Sequence, residues 1–488
     1  MSEDKYAAYE VIVGLEVHAQ LSTRSKMYCA DSAEYGGLPN TQVSPVSLGL
    51  PGTLPVLNSR AVEYAVKLGL ATNCTIHRYN QFARKNYFYA DLPKGYQITQ
   101  DSTPICTDGV IEFELEQEIK KVRLIRIHME EDAGKSLHDI DPFYTLVDLN
   151  RAGVPLLEIV SYPDLRSGDE AMAYLNEIRK LVRHLDICDG NMEEGSLRCD
   201  ANISVRKKGS TVLNPRTEVK NMNSMRNVKR AIEYEFMRQV DILESGGVLT
   251  QETRGFDALK GITTPQRTKE HAHDYRYFPE PDLPPLLLSD AFIEKVKRGI
   301  PKLPAQLKQE YITNYGLPEY DARQITDDKA FVRFFEEAIQ YTRNYKAVSN
   351  WLLGPVRNYL NEQGITLEQL SFSPKQLAEI IHLIDEGKTN FSVCATHIFP
   401  AMIKDGSKTA LQIAEALNLI QTSDEDFIGK LIKEVLSEMP AKVKEYKQGK
   451  KGLLGLFVGE VMKRSKGKAD PKTVNKLLAQ ALEEIAVS

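Results

Sequence analysis

The distribution of strand-like and helix-like segments changes near residue 290, and this change limits the possible folds more than any other feature of the sequence. Up to about residue 275, short hydrophobic runs typical of strands alternate with glycine, proline and asparagine clusters. These runs lie at 11–17, 122–129, 145–149, 156–160, 203–206 and 217–219, and amphipathic helices are predicted at 60–70, 167–185 and 224–243. The pattern predicts an α+β domain over residues 1–292.

A proline-rich segment, residues 279–285, follows the last of these elements. Proline removes a backbone donor and disfavours helix at the residue before it, so an extended connection is predicted here. Nearly all of the chain beyond it is predicted to be helical, which indicates an all-α helical domain over 293–407 and a further helical tail over 408–488. Helix-start signals occur at Asp290, at Ser373 with Pro374 and Gln376, at Ser423 with Asp426, and at Asp470 with Pro471.

Length and composition indicate a multidomain globular protein. A chain of 488 residues exceeds what one hydrophobic core supports, and 42% hydrophobic with 26% charged residues excludes a disordered or fibrous protein. The polar N-terminus and the lack of any run of about 18 apolar residues predict neither export nor a membrane segment. Six scattered cysteines form no Cys-x-x-Cys pair, so a reducing, cytoplasmic location is predicted.

Positive charge is concentrated near the end of the chain. The whole chain carries a net charge of −5, which argues against general affinity for nucleic acid. Residues 441–476 nevertheless contain eleven lysines or arginines and only three acids. Two interpretations of this segment remain open, a solvated helical face and a phosphate-binding surface.

Polar residues alternate with apolar ones in several predicted strands. Side chains two residues apart project from the same face of a strand, so Glu16 and His18 would point together while Val17 faces the core. A solvated polar strand face is the alternative interpretation. The same alternation recurs at Glu218 and Lys220, and at Arg198, Asp200 and Asn202.

Two further acidic features suggest a cation site. Glu158 lies within a hydrophobic run, and burying it unpaired would cost several kcal/mol, so a metal, a cation or a donor is expected beside it; an ordinary buried ion pair is the alternative. Residues 128–135 place three consecutive carboxylates beside His128 before a glycine turn, and a divalent cation would relieve their repulsion. Gly134, Lys135 and Ser136 resemble the end of a P-loop, but Met129 stands where that motif needs its first glycine, so the motif is incomplete. An ATP site must therefore be built from strand carboxylates and basic residues.

Aromatic and basic residues interleave over residues 84–97. Bases stack on aromatic rings while lysine and arginine hold phosphates, so this segment suits a nucleotide or the 3′ end of an RNA. An aromatic strand and turn packed in the core would show the same composition. The segment by itself does not distinguish the two interpretations.

Several blocks of the sequence together resemble one family. Residues 14–18, 84–89, 128–135, 147–151, 192–202, 274–282 and 452–468 closely resemble the B subunit of the glutamyl/aspartyl-tRNA amidotransferases, in the same order, from about residue 11 to 485. The resemblance implies a glutamine-synthetase-like cradle domain, an all-α helical domain and a YqeY-like helical tail. The implied reaction uses ATP to phosphorylate the side-chain carboxylate of Glu-tRNA(Gln) and/or Asp-tRNA(Asn), after which ammonia forms the amide.

The resemblance also implies partner subunits, and the lack of a convincing Cys-His or Ser-Lys amidase arrangement in the chain is consistent with this. An amidase-family glutaminase, the A subunit, would supply the ammonia, and a small C subunit would complete a heterotrimer. The alternatives are a free-standing carboxylate–ammonia ligase acting on a small acid, and a non-catalytic scaffold that binds tRNA. Whether tRNA(Gln), tRNA(Asn) or both are used is left open by the sequence.

Carried over residue by residue, the resemblance assigns roles to particular positions. The implied ligands of Mg²⁺, with Mn²⁺ possible because histidine is an unusual magnesium ligand, are His18, Glu131 and Glu158. Glu130 is the alternative to Glu131, because a shift of one residue changes the strand face. Glu16 and Glu218 complete the expected catalytic set. The expected phosphate-binding residues are Lys85, Arg198, Lys220 and Lys94, and the expected tRNA-binding residues are Lys450, Lys451, Lys463, Arg464, Lys466 and Lys468.

The sequence departs from the family pattern in the first domain. Many relatives hold a structural zinc through a Cys-x-Cys pair and a Cys-Pro-x-Cys pair. The equivalent positions here are Cys29, Asp31, Ser44 and Ser47, which leave a single thiolate. Zinc requires four ligands in structural sites, so no structural zinc is expected.

Overall fold

The computed structural model describes residues 4–268, 275–420, 425–465 and 469–484. The chain divides into two compact units, Met1–Pro304 and Ala305–Ser488. The first unit is α+β and the second is helical. Over the described ranges, no helix combines the length and the apolar character needed to cross a membrane.

The first unit is built on a mixed ten-stranded sheet. Its strands and those of three smaller sheets are β1 (Tyr9–Gln20), β2 (Thr75–Ile76), β3 (Tyr79–Asn80), β4 (Ala83–Asn86), β5 (Tyr96–Thr99), β6 (Cys106–Thr107), β7 (Val110–Leu115), β8 (Glu118–Glu131), β9 (Lys135–Leu137), β10 (Leu146–Asp148), β11 (Pro155–Ser161), β12 (Leu197–Lys207), β13 (Thr217–Met222), β14 (Glu252–Asp257), β15 (Ile262–Thr268), β16 (Phe278–Pro279) and β17 (Leu286–Leu287). The order in the large sheet is β15-β14-β13-β12-β1-β11-β8-β6-β2, and β7 pairs with β8. Its neighbouring strands are antiparallel except β13 and β14.

Alternation along the central strands separates a core face from a polar face. Val13, Leu15 and Val17 of β1 are fully buried, as are Leu157 and Ala201 on the neighbouring strands. They share one hydrophobic core with apolar side chains of the helices. The helices of this unit are α1 (Asp4–Ala7), α2 (Ser59–Ala71), α3 (Gly168–His184), α4 (Met225–Glu244) and α5 (Asp290–Arg298).

Local signals explain where these helices begin. Asn58, Ser167 and Ser224 accept hydrogen bonds from backbone N–H groups in the first turns of α2, α3 and α4, which would otherwise lack partners. The helices predicted at 60–70, 167–185 and 224–243 are confirmed to within one or two residues.

The second unit contains two separate hydrophobic clusters, one formed between Leu307 and Ala414 and the other between Ile428 and Leu482. The predicted helix start at Ser373 is confirmed by a complete capping box, while that at Ser423 lies outside the described residues. The helices are α6 (Pro304–Tyr315), α7 (Glu319–Thr326), α8 (Lys329–Ala338), α9 (Tyr345–Trp351), α10 (Arg357–Gln363), α11 (Pro374–Asp385), α12 (Phe391–Val393), α13 (Phe399–Lys404), α14 (Ala410–Ala416), α15 (Glu425–Glu438), α16 (Pro440–Lys447), α17 (Leu453–Arg464) and α18 (Pro471–Glu484), with π-helical turns at Leu352–Val356 and Cys394–Ile398 and a 3₁₀ turn at Leu367–Gln369.

The domain boundaries at 292 and 407 stay predictions, and the two compact units divide at Pro304. Helix α5 packs Ile293 and Val296 into the core of the first unit, so that unit continues to Pro304. Helix α14 packs Ala410 and Ile413 into the cluster that begins at Leu307. A change in sequence pattern marks where helices begin, whereas packing decides the unit to which each helix belongs.

Candidate functional site

Polar side chains from four adjacent strands meet on one face of the large sheet. The pairing register places Arg198 of β12 opposite His18 of β1, His18 opposite Glu158 of β11, and Glu158 opposite His128 of β8. Residues directly opposite one another on neighbouring strands project from the same face. The alternation predicted around His18 is therefore present, and it extends across the sheet.

The histidine–carboxylate cluster consists of His18, Glu130, Glu158 and His128. His18 Nε2 lies 3.2 Å from Glu158 Oε2 and 4.0 Å from Glu130 Oε1. His128 Nε2 lies 3.6 Å from Glu158 Oε2 and 3.7 Å from Glu130 Oε2. One potential ligand atom from each of His18, Glu130 and Glu158 lies within 4.8 Å of the others. Three strands thus bring two carboxylates and an imidazole within reach of one cation.

Glu158 and His18 shift each other's pKa. Burial alone would raise the pKa of Glu158, but the nearby His128 and His18 hold it well below its ordinary value. Burial alone would lower the pKa of His18, but its hydrogen bond to Glu158 and the charge of Glu130 raise it to about 9. Without a metal ion, a protonated His18 therefore supplies positive charge that compensates the carboxylates.

His128 was not assigned a role by sequence analysis. It is buried, and its Nδ1 atom has no hydrogen-bond partner among the described residues. A signal for it existed, because His128 stands two residues before Glu130 in the same strand and must share its face. The sequence did not reveal that Glu158 of the neighbouring strand lies opposite His128.

Glu131, which the resemblance implies as a metal ligand, is not part of this cluster. Its side chain contacts Lys94, and its Oε1 atom accepts a hydrogen bond from the Ile98 backbone N–H at 3.0 Å. Strand alternation explains the difference, because adjacent residues of β8 point to opposite faces. Glu130, the stated alternative, occupies the position beside His18.

A second group, the carboxylate–lysine cluster, consists of Glu16, Asp200, Glu218 and Lys220. Carboxylate oxygens of the three acids lie within 4.8 Å of one another. The Lys220 ammonium contacts Asp200 and lies 3.0 Å from Glu218 Oε1, and these charges raise its pKa despite burial. Asn202 donates a hydrogen bond of 2.8 Å to Glu16. The expected catalytic residues Glu16 and Glu218 therefore lie together, with a lysine supplying positive charge between them.

The four expected phosphate-binding residues have different surroundings. Arg198 lies 2.7 Å from Asp132, and the carboxylate of Asp132 also accepts a hydrogen bond from Gln20. Lys94 contacts Glu131, and Lys220 belongs to the carboxylate–lysine cluster. Lys85 has no carboxylate within 4 Å among the described residues. Of the four cations, Lys85 is the one whose charge is least committed to a protein carboxylate.

Lys85 lies between aromatic rings and the histidine–carboxylate cluster. Its Nζ atom is 5.0 Å from the centroid of the Tyr275 ring and 5.8 Å from that of Tyr87. Burial alone would lower the pKa of Lys85, but the negative charges of Glu130 and Glu158 outweigh it and raise the pKa. Lys85 is therefore a charged group at the edge of the cluster, available to an anionic substrate.

Comparisons with known proteins identify the family of the chain. A family model described as the GatB/GatE catalytic domain matches residues 11–294, and one described as the GatB domain matches residues 333–482. The chain belongs to the GatB family. It is 51% identical over 476 residues to the B subunit of the aspartyl/glutamyl-tRNA(Asn/Gln) amidotransferase from Thermodesulfovibrio yellowstonii, covering 98% of this chain and 100% of that protein. Proteins of the same name from Caldicellulosiruptor bescii (50% over 480 residues, 98% and 100% covered) and Chlorobaculum tepidum (52% over 475 residues, 97% and 99% covered) are also similar.

The positions where many GatB proteins are expected to hold zinc lie together in this chain. Cys29 Sγ is 3.6 Å from Ser47 Oγ, and the Ser47 hydroxyl contacts Asp31. The Ser44 backbone N–H also donates to Ser47 Oγ, at 3.4 Å. Hydrogen bonds among short polar side chains thus connect the two segments that a metal would connect in such relatives. The expected absence of zinc stays a prediction.

The expected tRNA-binding residues of the GatB tail are partly engaged in ion pairs. Arg464 lies 2.5 Å from Glu438, and Lys450 lies 3.1 Å from Glu445. Lys451 Nζ lies 4.5 Å from the centroid of the Tyr446 ring. These contacts are at the surface, where such pairs are weak and exchange readily with water or phosphate. Lys463 also lies in α17, and Lys466 and Lys468 fall outside the described residues.

Proposed function

We propose that this GatB protein catalyses two linked reactions on aminoacyl-tRNA. It transfers the γ-phosphoryl group of ATP to the side-chain carboxylate of Glu-tRNA(Gln) and/or Asp-tRNA(Asn), and ammonia then displaces the phosphate to give the amide. The observation that carries the proposal is the convergence of His18, Glu130 and Glu158 from three strands, with their ligand atoms within 4.8 Å.

The donor set of the histidine–carboxylate cluster fits a divalent cation. Glu158 remains ionised because its pKa is lowered, and Glu130 and His18 complete a mixed oxygen and nitrogen set. Magnesium prefers oxygen ligands, while manganese accepts imidazole more readily, so either ion is compatible with these residues. A bound ion would neutralise charge on the phosphoryl oxygens during transfer.

The protein's own residues would bind and orient the two substrates. Lys85 would hold the side-chain carboxylate of the aminoacyl group or a phosphate oxygen, because its charge is not already paired with a carboxylate. Arg198 is fixed by Asp132, which orients the guanidinium at the edge of the same polar face. Most of the gain in rate from such groups comes from positioning and from electrostatic stabilisation.

Phosphorylation solves a specific chemical problem for amide formation. An ionised carboxylate is a poor electrophile and has no acceptable leaving group, whereas an acyl phosphate loses phosphate readily. Ammonia must reach this intermediate before water does. We therefore propose that a glutaminase of the amidase family, the A subunit, supplies it within a heterotrimer that also contains a small C subunit.

The proposed domain arrangement is a glutamine-synthetase-like cradle, an all-α helical domain and a YqeY-like tail, acting in the cytoplasm. The basic residues of the tail would contact tRNA phosphates and so place the acceptor end on the first unit. The names of the full-length relatives support this assignment over a free-standing ligase or a scaffold without activity.

The experiment that tests the proposal uses the chain assembled with its A and C subunits, misacylated tRNA and ATP labelled at the γ-phosphorus. Without glutamine or ammonia, the label should accumulate on the aminoacyl-tRNA, and adding glutamine should release it as amidated product forms. The exposed substitution Glu112→Gln serves as a control that preserves both steps, and Glu158→Gln should abolish labelling. Labelled product formed from free glutamate without tRNA would refute the proposal.

A further inference from the structure

Four tyrosines, Tyr89, Tyr87, Tyr275 and Tyr277, form a row of neighbouring rings that we call the tyrosine row. Consecutive ring centroids are 5.8 Å apart for Tyr89 and Tyr87, 6.2 Å for Tyr87 and Tyr275, and 5.9 Å for Tyr275 and Tyr277. The side chains of Tyr89 and Tyr277 are 59% and 40% exposed. A row of rings packed only as core would not leave both of its ends open to solvent.

Hydrogen bonds from Asn86 hold the Tyr275 backbone in place. Asn86 donates hydrogen bonds from its backbone N–H and its side chain to the Tyr275 carbonyl, at 3.1 and 3.0 Å. Arg276, which lies between Tyr275 and Tyr277 in the sequence, has a φ of +46°. This left-handed conformation is costly for a residue with a side chain. The segment is therefore held by its surroundings in a conformation that it would not adopt alone.

The tyrosine row is connected to the histidine–carboxylate cluster through short contacts. Lys85 lies within 5.0 Å of the Tyr275 ring and pairs across β4 and β5 with Gln97. Gln97 Nε2 donates to the Glu131 carbonyl at 2.7 Å, and Thr99 Oγ1, two residues further along β5, lies 3.4 Å from Glu130 Oε2. Strand β4, which carries Lys85, and strand β5, which carries Thr99, thus link the tyrosine row to the cluster.

The place of the tyrosine row beside the cluster suggests which part of the substrate it contacts, an inference that rests on the proposed function. The reacting carboxylate belongs to an amino acid esterified to the terminal ribose of the tRNA. When that carboxylate lies at the cluster, the terminal adenosine must lie no more than one amino-acid length away. Adenine presents a flat π surface that stacks on aromatic side chains. We propose that the tyrosine row binds the 3′-terminal adenosine of the aminoacyl-tRNA by stacking, with Tyr275 as the main contact.

ATP also carries an adenosine, so the test must separate the two sources. We would measure KM for each substrate with the other saturating, in the enzyme assembled with its A and C subunits. Base–aromatic stacking predicts that Tyr275→Ala raises KM for aminoacyl-tRNA roughly 5- to 150-fold. The KM for ATP should stay unchanged, and Tyr275→Phe, which keeps the ring, should restore the wild-type value. A rise in KM for ATP alone would overturn the proposal.

A binding cycle distinguishes stacking from a merely structural role. Affinity is measured for uncharged tRNA with and without its terminal adenosine, without ATP. The wild-type complex should lose affinity when the adenosine is removed, whereas the Tyr275→Ala complex should bind both RNAs equally. Tyr277→Ala, at a more exposed ring, provides a second variant that is less dependent on folding, and the exposed Tyr144→Ala is the matched control that behaves as wild type.

The results of these experiments distinguish a failure of the adenosine-stacking proposal from a failure of the proposed amidotransferase function. Equal loss of affinity on removing the adenosine in the wild type, in Tyr275→Ala and in Tyr277→Ala would overturn the stacking site while leaving amidation intact. Failure of the wild-type complex to phosphorylate aminoacyl-tRNA would instead refute the proposed function, whatever the binding cycle shows.

Discussion

Replacing Glu130 by glutamine tests the central feature of the site, because it removes a charge from the histidine–carboxylate cluster at nearly constant volume. At the 4.0 Å that separates Glu130 Oε1 from His18 Nε2, one pair of unit charges is worth about 4 kcal/mol at an effective dielectric constant near 20. A divalent cation at a similar distance would interact about twice as strongly. Much of this energy is offset by the cost of removing the ion from water. We therefore expect Glu130→Gln to weaken Mn²⁺ binding at least 100-fold, about 2.8 kcal/mol.

The assay is titration of the full-length chain with Mn²⁺, followed by electron paramagnetic resonance of the free ion. Glu131→Gln is the informative comparison, because its carboxylate faces Lys94. It should change Mn²⁺ affinity by less than tenfold and should instead lower the free energy of unfolding by about 3 kcal/mol, since it removes one partner of a buried ion pair. Glu112→Gln should change neither quantity. If Glu131→Gln removed Mn²⁺ binding and Glu130→Gln did not, the assignment of the strand face would be wrong.

Three further predictions concern other parts of the chain. Lys85→Met should lower the kcat for phosphorylation of aminoacyl-tRNA at least 100-fold while leaving Mn²⁺ affinity within a factor of three; a normal kcat in a single-turnover assay would contradict the role given to this ammonium. Lys26→Met should lower the free energy of unfolding in urea by about 2 kcal/mol, because the buried Lys26 ammonium donates to the carbonyls of Gln42 and Leu149 at 2.7 and 3.3 Å; unchanged stability would show that these bonds only offset the cost of burial. Deleting residues 425–488 should weaken tRNA binding and flatten its dependence on salt between about 50 and 200 mM, and an unchanged salt slope in filter binding would exclude phosphate contacts by the tail.

Sequence reasoning was most successful where a local rule applied. The two-residue period of strands correctly placed Glu16 and His18 on one face, with Val17 in the core, because the pleat alone determines this alternation. The capping box likewise fixed the start of α11 at Ser373. These outcomes depend on neighbours in the sequence and need no knowledge of the rest of the fold.

The sequence did not predict which side chains meet where this depends on the register between two strands. Three consecutive acids in and just after β8 give no local sign of which one faces the cluster, and the pairing of Glu158 with His128 decides it in favour of Glu130. The same pairing places His128 opposite Glu158, a partner that the sequence around His128 does not reveal. The contact of Lys94 with Glu131 was likewise not foreseen, and its role in phosphate binding stays a prediction.

The sequence by itself determined the residue types of the site, their alternation along each strand, and the change from an α+β to a helical region. Only the tertiary structure decided that β1 lies between β11 and β12, strands more than a hundred residues away along the chain. The physical reason is that backbone pleating is set by adjacent residues, whereas strand order and register are set by burial of the whole core. A cluster assembled from His18, Glu130 and Glu158 exists only once that core has formed.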